Sequence, residues 1–230
     1  MMIGTFWRIC NLIEVEFSRN RALHGARIQC GLGCSDCCSQ LFQITEVEAA
    51  VLSAGVRTLP EIQQNQLLER AAAYLEARAR LVSEKGEQEA WGGLPPEGTR
   101  LPCPALAEGV CTVYEWRPLI CRKYGIPLYN PDKPGRVFAC ELNFRAGEEI
   151  DDGELVQIQT GLHAEAKDMQ REWDRRGLHR DGQPLTVARA IVEDLQAWLP
   201  AEPPGAASTA APAATPTGVP SAATTATPAE

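Results

Sequence analysis

Four cysteines fall within nine consecutive positions near the start of the chain. Their spacing is C-x3-C-x2-C-C, and the four are Cys30, Cys34, Cys37 and Cys38. A thiolate is a soft, charged ligand, and a short loop that contains glycine lets two or three sulfur atoms converge on one point. Gly31 and Gly33 lie between the first two cysteines, where a loop around an ion often needs a positive φ. The segment therefore predicts a metal site more strongly than it predicts an activity.

Four further cysteines complete a set of eight candidate metal ligands. They are Cys103, Cys111, Cys121 and Cys140. The ninth cysteine, Cys10, falls on the apolar face of an amphipathic helix predicted over residues 5–20. A free cysteine on such a face is usually a small buried hydrophobic residue, so we leave Cys10 out of the ligand set.

The meaning of nine cysteines depends on the redox compartment. In an oxidising compartment they predict a disulfide scaffold, and in a reducing one they predict metal or redox chemistry. No basic segment precedes the first apolar stretch, which Arg8 interrupts, so we expect no secretory signal. No run of 18 apolar residues occurs, so we expect no membrane span. These observations favour a cytoplasmic protein with reduced thiols that bind metal.

The net charge of the chain bears on its partners. A net charge of -8 would repel the phosphate backbone, so we expect no nucleic-acid partner and expect a metal ion instead. The protein partner is not specified by any pattern in the sequence.

Apolar periodicity predicts a mainly α fold. Thr45 and Glu48 form a capping-box pattern that opens a helix, and Gly55 is expected to close it. Further helices are predicted from Pro60 to about residue 84, over 152–177, and from Pro184 to Leu199. The expected buried face of the second of these helices consists of Leu68, Ala71, Ala72, Leu75, Ala79 and Val82.

Loops and short strands are expected to carry the downstream cysteines. A turn at Glu108-Gly109 precedes a β-prone segment over residues 110–114, and Pro118 suits the first turn of a short helix that carries Cys121. A second short strand over residues 136–140 would bring Cys140 back toward the others. We therefore expect a single helical domain over residues 1–200 with a cysteine-rich, metal-binding knot of loops and short strands.

The last thirty residues differ from the rest in composition. Residues 201–230 consist almost entirely of Ala, Pro, Thr, Ser and Gly and contain no aromatic residue. Such a segment buries too little apolar surface to offset the entropy lost on ordering, so it is expected to be a disordered tail.

Eight thiolates allow more than one metal centre. They could hold two tetrahedral zinc ions, or four of them could hold one 4Fe–4S cluster while the others serve as structural or resolving thiols. In an extended backbone Cys37 and Cys38 would point to opposite sides, which favours two sites. Four thiolates around one zinc ion leave a charge of about -2, so nearby cations are expected to support the ligands. The candidates are Arg27, Arg100, Arg117, Arg122 and Lys123, with Arg117 and Arg122 favoured.

The cysteine spacing and its flanking residues resemble those of a bacterial family, the YkgJ-like or CxxCxxCC family of zinc- or iron-chelating domains. The similarity covers roughly residues 28–145 and is carried by the first cysteine run, by Cys103-Pro104 and by the segment GVCTVYEWRPLICRKYG. The resemblance implies chelation of zinc or iron. Such domains also resemble part of the flagellin lysine methylases, which keeps a metal-dependent modification enzyme open as an alternative, beside a purely structural zinc domain that acts as an interaction module. No catalytic motif occurs elsewhere in the chain.

Overall fold

A computed structural model describes residues 2–31, 33–82, 87, 95–96, 98–145, 148–176 and 183–199. These residues form a mostly helical fold with few short strands, which confirms the predicted fold class. The tail predicted over residues 201–230 lies outside the described residues. None of the helices in the described ranges is both long and apolar enough to cross a membrane.

The helices are α1 (Met2–His24), α2 (Glu46–Arg57), α3 (Glu61–Val82), α4 (Leu119–Lys123), α5 (Leu155–Asp174) and α6 (Val187–Val192). Short 3-10 helices occupy Gly25–Arg27, Asp36–Ser39, Tyr114–Trp116 and Leu195–Trp198. Two antiparallel hairpins pair β1 (Leu106–Ala107) with β2 (Val110–Cys111) and β3 (Leu128–Tyr129) with β4 (Val137–Phe138).

Helices α1 and α5 pack side by side in opposite directions. Arg8 on α1 pairs with Glu165 on α5 at 2.7 Å, and Arg19 near the other end of α1 pairs with Asp152, just before α5, at 2.5 Å. Helix α1 extends beyond the predicted range at both ends. Cys10 is 1% exposed and belongs to the apolar cluster beneath α1, as expected. Burial raises the pKa of this thiol to about 11, because the charged form is poorly solvated there.

Helix α2 lies at the centre of the fold because both of its faces are apolar. One face, with Ala49, Leu52 and Val56, packs with α3 and α6, and the other, with Val47 and Val51, packs with α1 and α5. The predicted capping box is present at its start: Glu48 N donates to Thr45 Oγ1 at 3.4 Å, and Thr45 N donates to the Glu48 carboxylate at 2.7 Å. This element fixes the direction in which the chain leaves the first cysteine run.

The prediction that Gly55 ends α2 is wrong. The helix continues to Arg57, and Gly55 is buried inside its last turns. A methyl group at this position would overlap the indole ring of Trp116. The glycine is therefore required by a close approach between α2 and the 3-10 helix Tyr114–Trp116, and it does not terminate the helix.

The buried face predicted for α3 is confirmed only in part: Ala71 is buried and Leu75 packs against the core. Leu67, Ala71, Tyr74 and Arg78 are buried, whereas Leu68 is 38% exposed and Ala72 and Ala79 are exposed. By sequence the predicted stripe is the more apolar of the two, since the buried stripe includes Tyr74 and Arg78. The buried stripe includes Arg78, whose guanidinium donates to the Tyr74 hydroxyl at 2.8 Å and pairs with Glu87, so its charge is compensated.

The last predicted helix is broken into two pieces. Helix α6 ends at Val192, and Asp194 adopts a left-handed conformation with a φ of 50° before the 3-10 helix Leu195–Trp198. Ser53 on α2 accepts a hydrogen bond from Leu195 N at 3.0 Å, and Arg57 pairs with the Asp194 carboxylate at 2.5 Å. Contacts with α2 thus replace the helical hydrogen bonds that a continuous helix would make.

Candidate metal centre

The first cysteine run is a tight loop between α1 and α2. Gly33 adopts a positive φ of 85°, as predicted, whereas Gly31 does not, and Cys34 N donates to Gly31 O at 3.1 Å. Cys37 and Cys38 lie within the 3-10 helix Asp36–Ser39. The expectation that these two cysteines lie in an extended backbone is therefore wrong. The Cys38 thiol lies close enough to raise the pKa of Cys37, and the argument that the two side chains point to opposite sides loses its premise.

The second cysteine run is joined to the first by its backbone. Leu101 N donates to Ser39 O at 2.9 Å, and Cys103 N donates to Cys38 O at 2.6 Å. The two segments are separated in sequence by α2 and α3, yet these bonds place Cys103 beside the adjacent pair Cys37-Cys38. The structure thus brings together the two distant stretches on which the metal hypothesis depends.

A hairpin then returns Cys111 toward Cys103. Strand β1 pairs with β2 in a register that sets Leu106 opposite Cys111, and Thr112 N donates to Ala105 O at 2.8 Å. Glu108 and Gly109 form the connecting turn with φ values of 52° and 76°, as the two-residue turn of a tight hairpin requires. The predicted turn is confirmed, although the strand ends at Cys111.

Cys121 is carried by the short helix α4, as predicted. Pro118 is the N-cap residue of that helix, and the backbone N of Leu119 donates to the Glu48 carboxylate at 2.7 Å. Glu48 is 5% exposed and belongs to α2, so the same carboxylate caps α2 and holds the start of α4. Cys121 is thereby fixed relative to the end of the first cysteine run.

The last candidate ligand, Cys140, follows the β3–β4 hairpin. Its Sγ atom lies 3.8 Å from Oδ2 of Asp36. The buried side chain of Asn143 ties this segment down, because its Oδ1 accepts from Gln29 N at 2.7 Å and its Nδ2 donates to Gly125 O at 2.8 Å. The Cys30 side chain packs against Gly125, where an added methyl group would lie 2.6 Å from Cys30 Sγ. The segments that carry Cys30 and Cys140 are thus held side by side.

The thiols influence one another electrostatically in two overlapping groups. Burial and then the neighbouring Cys34, Cys37 and Cys140 raise the pKa of Cys30 to about 11. Burial, with a further contribution from Cys111 and Cys37, raises the pKa of Cys103 to about 12, although two backbone N–H groups oppose the rise.

One group consists of Cys30, Cys34, Cys37 and Cys140, and the other consists of Cys37, Cys103, Cys111 and Cys121, so Cys37 belongs to both. Burial, followed by the charges of Cys103, Cys37 and Cys111, raises the pKa of Cys121 well above its usual value. The hydrogen bond to Cys38 and then burial raise the pKa of Cys37 itself. Metal binding at neutral pH would therefore have to displace protons from these thiols, because the thiolate is the ligand.

Arg117 and Arg122, the two arginines predicted to support the ligands, both pair with the carboxylate of Glu14. Arg117 lies 3.1 Å from Glu14 and stacks over the Tyr114 ring at 3.7 Å, and the buried Arg122 lies 3.3 Å from Glu14 and donates to Arg117 O at 3.2 Å. The positive charge of Arg117 opposes the rise in pKa of Cys30, Cys37 and Cys111. These contacts are consistent with a cation that offsets the charge of a thiolate cluster.

The other three cations are placed differently. Arg27 donates to Glu149 O at 3.0 Å, and Arg100 lies between Asp36 at 3.6 Å and Glu141 at 3.2 Å. Burial lowers the pKa of Lys123. Of these three, Arg100 has a carboxylate partner inside the first cysteine run.

The donor set fits zinc or iron by its chemistry. All nine cysteines lie in the described ranges, and each carries a free thiol. Eight of them come from four segments that backbone and side-chain hydrogen bonds hold together, and soft thiolates suit zinc and iron–sulfur centres. As the side chains are placed, no three Cys, His, Asp or Glu donors in the described part of the chain converge on one ion position. Ligation would therefore require side-chain rotation.

Three supporting residues were missed by sequence reasoning. Asp36 lies inside the cysteine run and could have been noticed there as an oxygen donor. The bond from Gln29 N to Asn143 and the bond from Leu119 N to Glu48 connect residues that are far apart in sequence, and no local pattern indicates such bonds.

A cleft of about 330 Å³ opens beside the first cysteine run. Its walls include Arg27, Gln29, Phe144, Arg145 and Glu148, and Gln29 directly precedes Cys30. Charged and polar groups thus line a concave surface next to the cysteines.

Comparison with known proteins gives one match. Residues 29–133 match a family model described as "CxxCxxCC: Putative zinc- or iron-chelating domain". The matched range contains seven of the eight candidate ligands, and Cys140 lies beyond it. No curated protein and no solved structure shows significant similarity to the chain. The match confirms the resemblance found in the cysteine spacing: residues 29–133 of this chain are similar to the CxxCxxCC family of zinc- or iron-chelating domains.

Proposed function

We propose that this protein chelates zinc or iron through its eight clustered cysteines. The proposed ligands are Cys30, Cys34, Cys37, Cys38, Cys103, Cys111, Cys121 and Cys140. The observation that carries the proposal is the pair of backbone hydrogen bonds, Leu101 N to Ser39 O and Cys103 N to Cys38 O, which join the two cysteine runs. The family match, whose description names zinc or iron, supports the same chemistry.

Each part of the chain has a defined role in this proposal. The 3-10 helix Asp36–Ser39 presents two adjacent sulfur atoms, the β1–β2 hairpin presents Cys111, and α4 presents Cys121. Glu48 and Asn143 fix these segments by hydrogen bonds, and Arg117 supplies positive charge. A bound ion would supply strong bonds to four thiolates, which would stabilise the arrangement. The ligand-bearing core would span residues 28–145 within one domain over residues 1–200.

The ligand thiols must remain reduced and able to lose their protons. For this reason the proposal assigns the protein to a reducing compartment such as the cytoplasm. A disulfide scaffold would instead consume the same thiols. Thiol counting on native protein purified without reductant separates the two cases, since the metal proposal requires eight titratable thiols once the ion is removed.

A second candidate function, a metal-dependent modification enzyme, is favoured by one observation. The cleft beside the first run offers Arg27, Gln29, Arg145 and Glu148 as polar groups within reach of a substrate. A purely structural zinc domain would not need such a cleft. Arg145→Ala should leave metal content unchanged under all three hypotheses, and only the enzyme hypothesis predicts lost turnover in this variant.

Anaerobic purification followed by elemental analysis and a visible spectrum tests the main proposal. One or two equivalents of zinc in a colourless protein would support tetrahedral thiolate sites. A brown protein with iron and acid-labile sulfide would support an iron–sulfur cluster, such as a 4Fe–4S cluster. Purified protein that retains neither metal, and takes up neither on anaerobic loading, would contradict the proposal.

A further inference from the structure

Asp36 stands among the cysteines of the first run and faces the last cysteine of the chain. Its Oδ2 atom lies 3.8 Å from Sγ of Cys140. Asp36 directly precedes Cys37 and begins the 3-10 helix that carries the adjacent cysteine pair. Cys140 lies 104 positions away in sequence, so the tertiary fold, rather than a local sequence pattern, brings the two donor atoms together.

The separation of these two atoms matches that of two ligands on one metal ion. In a tetrahedral zinc site the bonds are about 2.3 Å to sulfur and about 2.0 Å to oxygen, which sets the two donor atoms roughly 3.5 Å apart. A small widening of the bond angle reaches the observed 3.8 Å. In the structure the Cys140 thiol donates a hydrogen bond to this carboxylate oxygen. Because a thiol loses its proton when it binds a metal, the same pair would then present two anionic donors to one ion.

The surroundings of Asp36 suit a metal-bound carboxylate. Arg100 Nη1 lies 3.6 Å from the same Oδ2 atom, and its other terminal nitrogen lies 3.2 Å from Glu141. Ligating carboxylates are commonly oriented by such neighbours. Asp36 and Arg100 are each about 30% exposed, so the pair lies at the rim of the cluster, where an ion can enter. Burial raises the pKa of the Cys140 thiol, and Cys34 and Cys37 lie close enough for their charges to raise it as well.

We propose that Asp36 is a metal ligand that binds the same ion as Cys140, and that it makes this part of the site a mixed sulfur and oxygen site. The ion would take its remaining thiolates from Cys30 and Cys34. A carboxylate oxygen is a harder donor than a thiolate, so this position would favour Zn²⁺ or Fe²⁺ over a soft ion such as Cu⁺. The inference rests on the proposed function and adds a ligand that the cysteine spacing does not indicate.

Three variants test the role of Asp36, with zinc and cobalt as the probes. Cobalt(II) substitutes for zinc, and the intensity of its sulfur-to-metal absorption increases with each bound thiolate. Asp36→Asn should weaken zinc retention against a chelator about tenfold or more. Asp36→Cys should restore zinc retention and raise the cobalt charge-transfer absorption by the share of one thiolate. Glu141→Gln, which alters the neighbouring partner of Arg100, should behave like the wild-type protein.

The outcomes separate this inference from the function on which it rests. Wild-type protein that binds neither probe would contradict the proposed function itself. If the wild type binds both, an Asp36→Asn variant with zinc retention within twofold of the wild type would overturn the inference. An unchanged charge-transfer absorption in Asp36→Cys would overturn it as well. A cysteine that replaces a carboxylate outside the coordination shell would add no metal-bound thiolate.

Discussion

The buried carboxylate of Glu48 accepts a hydrogen bond from the backbone N of Leu119, at 2.7 Å. Glu48 lies in the first turn of α2, just after the first cysteine run, and Leu119 begins α4, which carries Cys121. The second carboxylate oxygen accepts from both the backbone N and the hydroxyl of Thr45. One carboxylate therefore caps the helix that follows the first cysteine run and also holds the start of α4, the helix that carries Cys121.

Replacement of Glu48 should be strongly destabilising. Glu48→Ala removes the capping box, worth about 1 kcal/mol, and leaves the buried Leu119 N without an acceptor, which costs about 1–3 kcal/mol more. We expect the free energy of unfolding, measured with urea, to fall by about 2–4 kcal/mol. Glu69→Ala, at an exposed position of α3, should change it by less than about 0.5 kcal/mol. Equal effects of the two changes would contradict the dual role of Glu48.

Two glycines inside helices should respond to alanine in opposite directions. Gly55→Ala places a methyl group against the indole of Trp116, and the resulting overlap should cost about 1–3 kcal/mol despite the better helix propensity of alanine. Gly161→Ala, on the open side of α5, meets no atom within 4 Å and should stabilise the protein by about 0.5–1 kcal/mol. Thermal unfolding of both variants measures the contrast, which disappears if α2 and Trp116 are not in contact.

The ion pair between Arg19 and Asp152 should make stability depend on pH at the acid end. The hydrogen bond and charge of Arg19 lower the pKa of Asp152 below its usual 3.8. A carboxyl group whose pKa is lower in the folded state stabilises the fold above the unfolded pKa, and this contribution is lost as pH falls through the folded value. Asp152→Asn should therefore destabilise the protein by about 1–3 kcal/mol at pH 7 and flatten its acid limb below pH 4.

An exposed ion pair of similar chemistry provides the control for Asp152. Asp168 pairs with Arg171 within α5, and both side chains are 66% exposed. Because exposed pairs contribute little, Asp168→Asn should leave the free energy of unfolding within about 0.5 kcal/mol of the wild type at every pH. An acid limb that is steeper in Asp152→Asn than in the wild type would contradict the assigned pKa direction.

Single cysteine replacements should separate ligands from the core cysteine. Cys37→Ser and Cys121→Ser each remove a proposed ligand and should lower the metal content measured by elemental analysis. Cys10→Ala is the control, since Cys10 is 1% exposed in an apolar cluster and is not one of the proposed ligands. Alanine is preferred to serine there because it adds no hydroxyl to the core. Full metal content in both ligand variants would contradict the ligand set.

Local patterns predicted the elements that depend on neighbouring residues. The Thr45–Glu48 capping box, the Glu108-Gly109 turn and the helix after Pro118 all arise from interactions within a few residues, and all are present. Apolar periodicity mispredicted part of the buried face of α3, because packing against α6 and the ion pair of Arg78 with Glu87 bury the less apolar stripe.

The arrangement of the site depended on contacts that no local pattern contains. The spacing of Cys37 and Cys38 indicated ligands, but the backbone bonds that join their 3-10 helix to Leu101 and Cys103 could not be read from it. The approach of Asp36 to Cys140 and the break at Asp194 likewise result from partners more than a hundred positions away. The sequence therefore indicated which residues could be ligands, but it did not indicate how those residues are arranged in space.

The bond between Cys103 N and Cys38 O closes a long loop of chain that contains both α2 and α3. An ion gripping thiolates from both runs would tie the ends of this loop even after the helices had melted, much as a disulfide does. A tie of this kind reduces the conformational entropy of the unfolded chain, and longer loops lose more of it. Ion binding would then speed refolding of the α2–α3 segment as well as strengthen the folded protein, and removal of the ion with a chelator would abolish that acceleration.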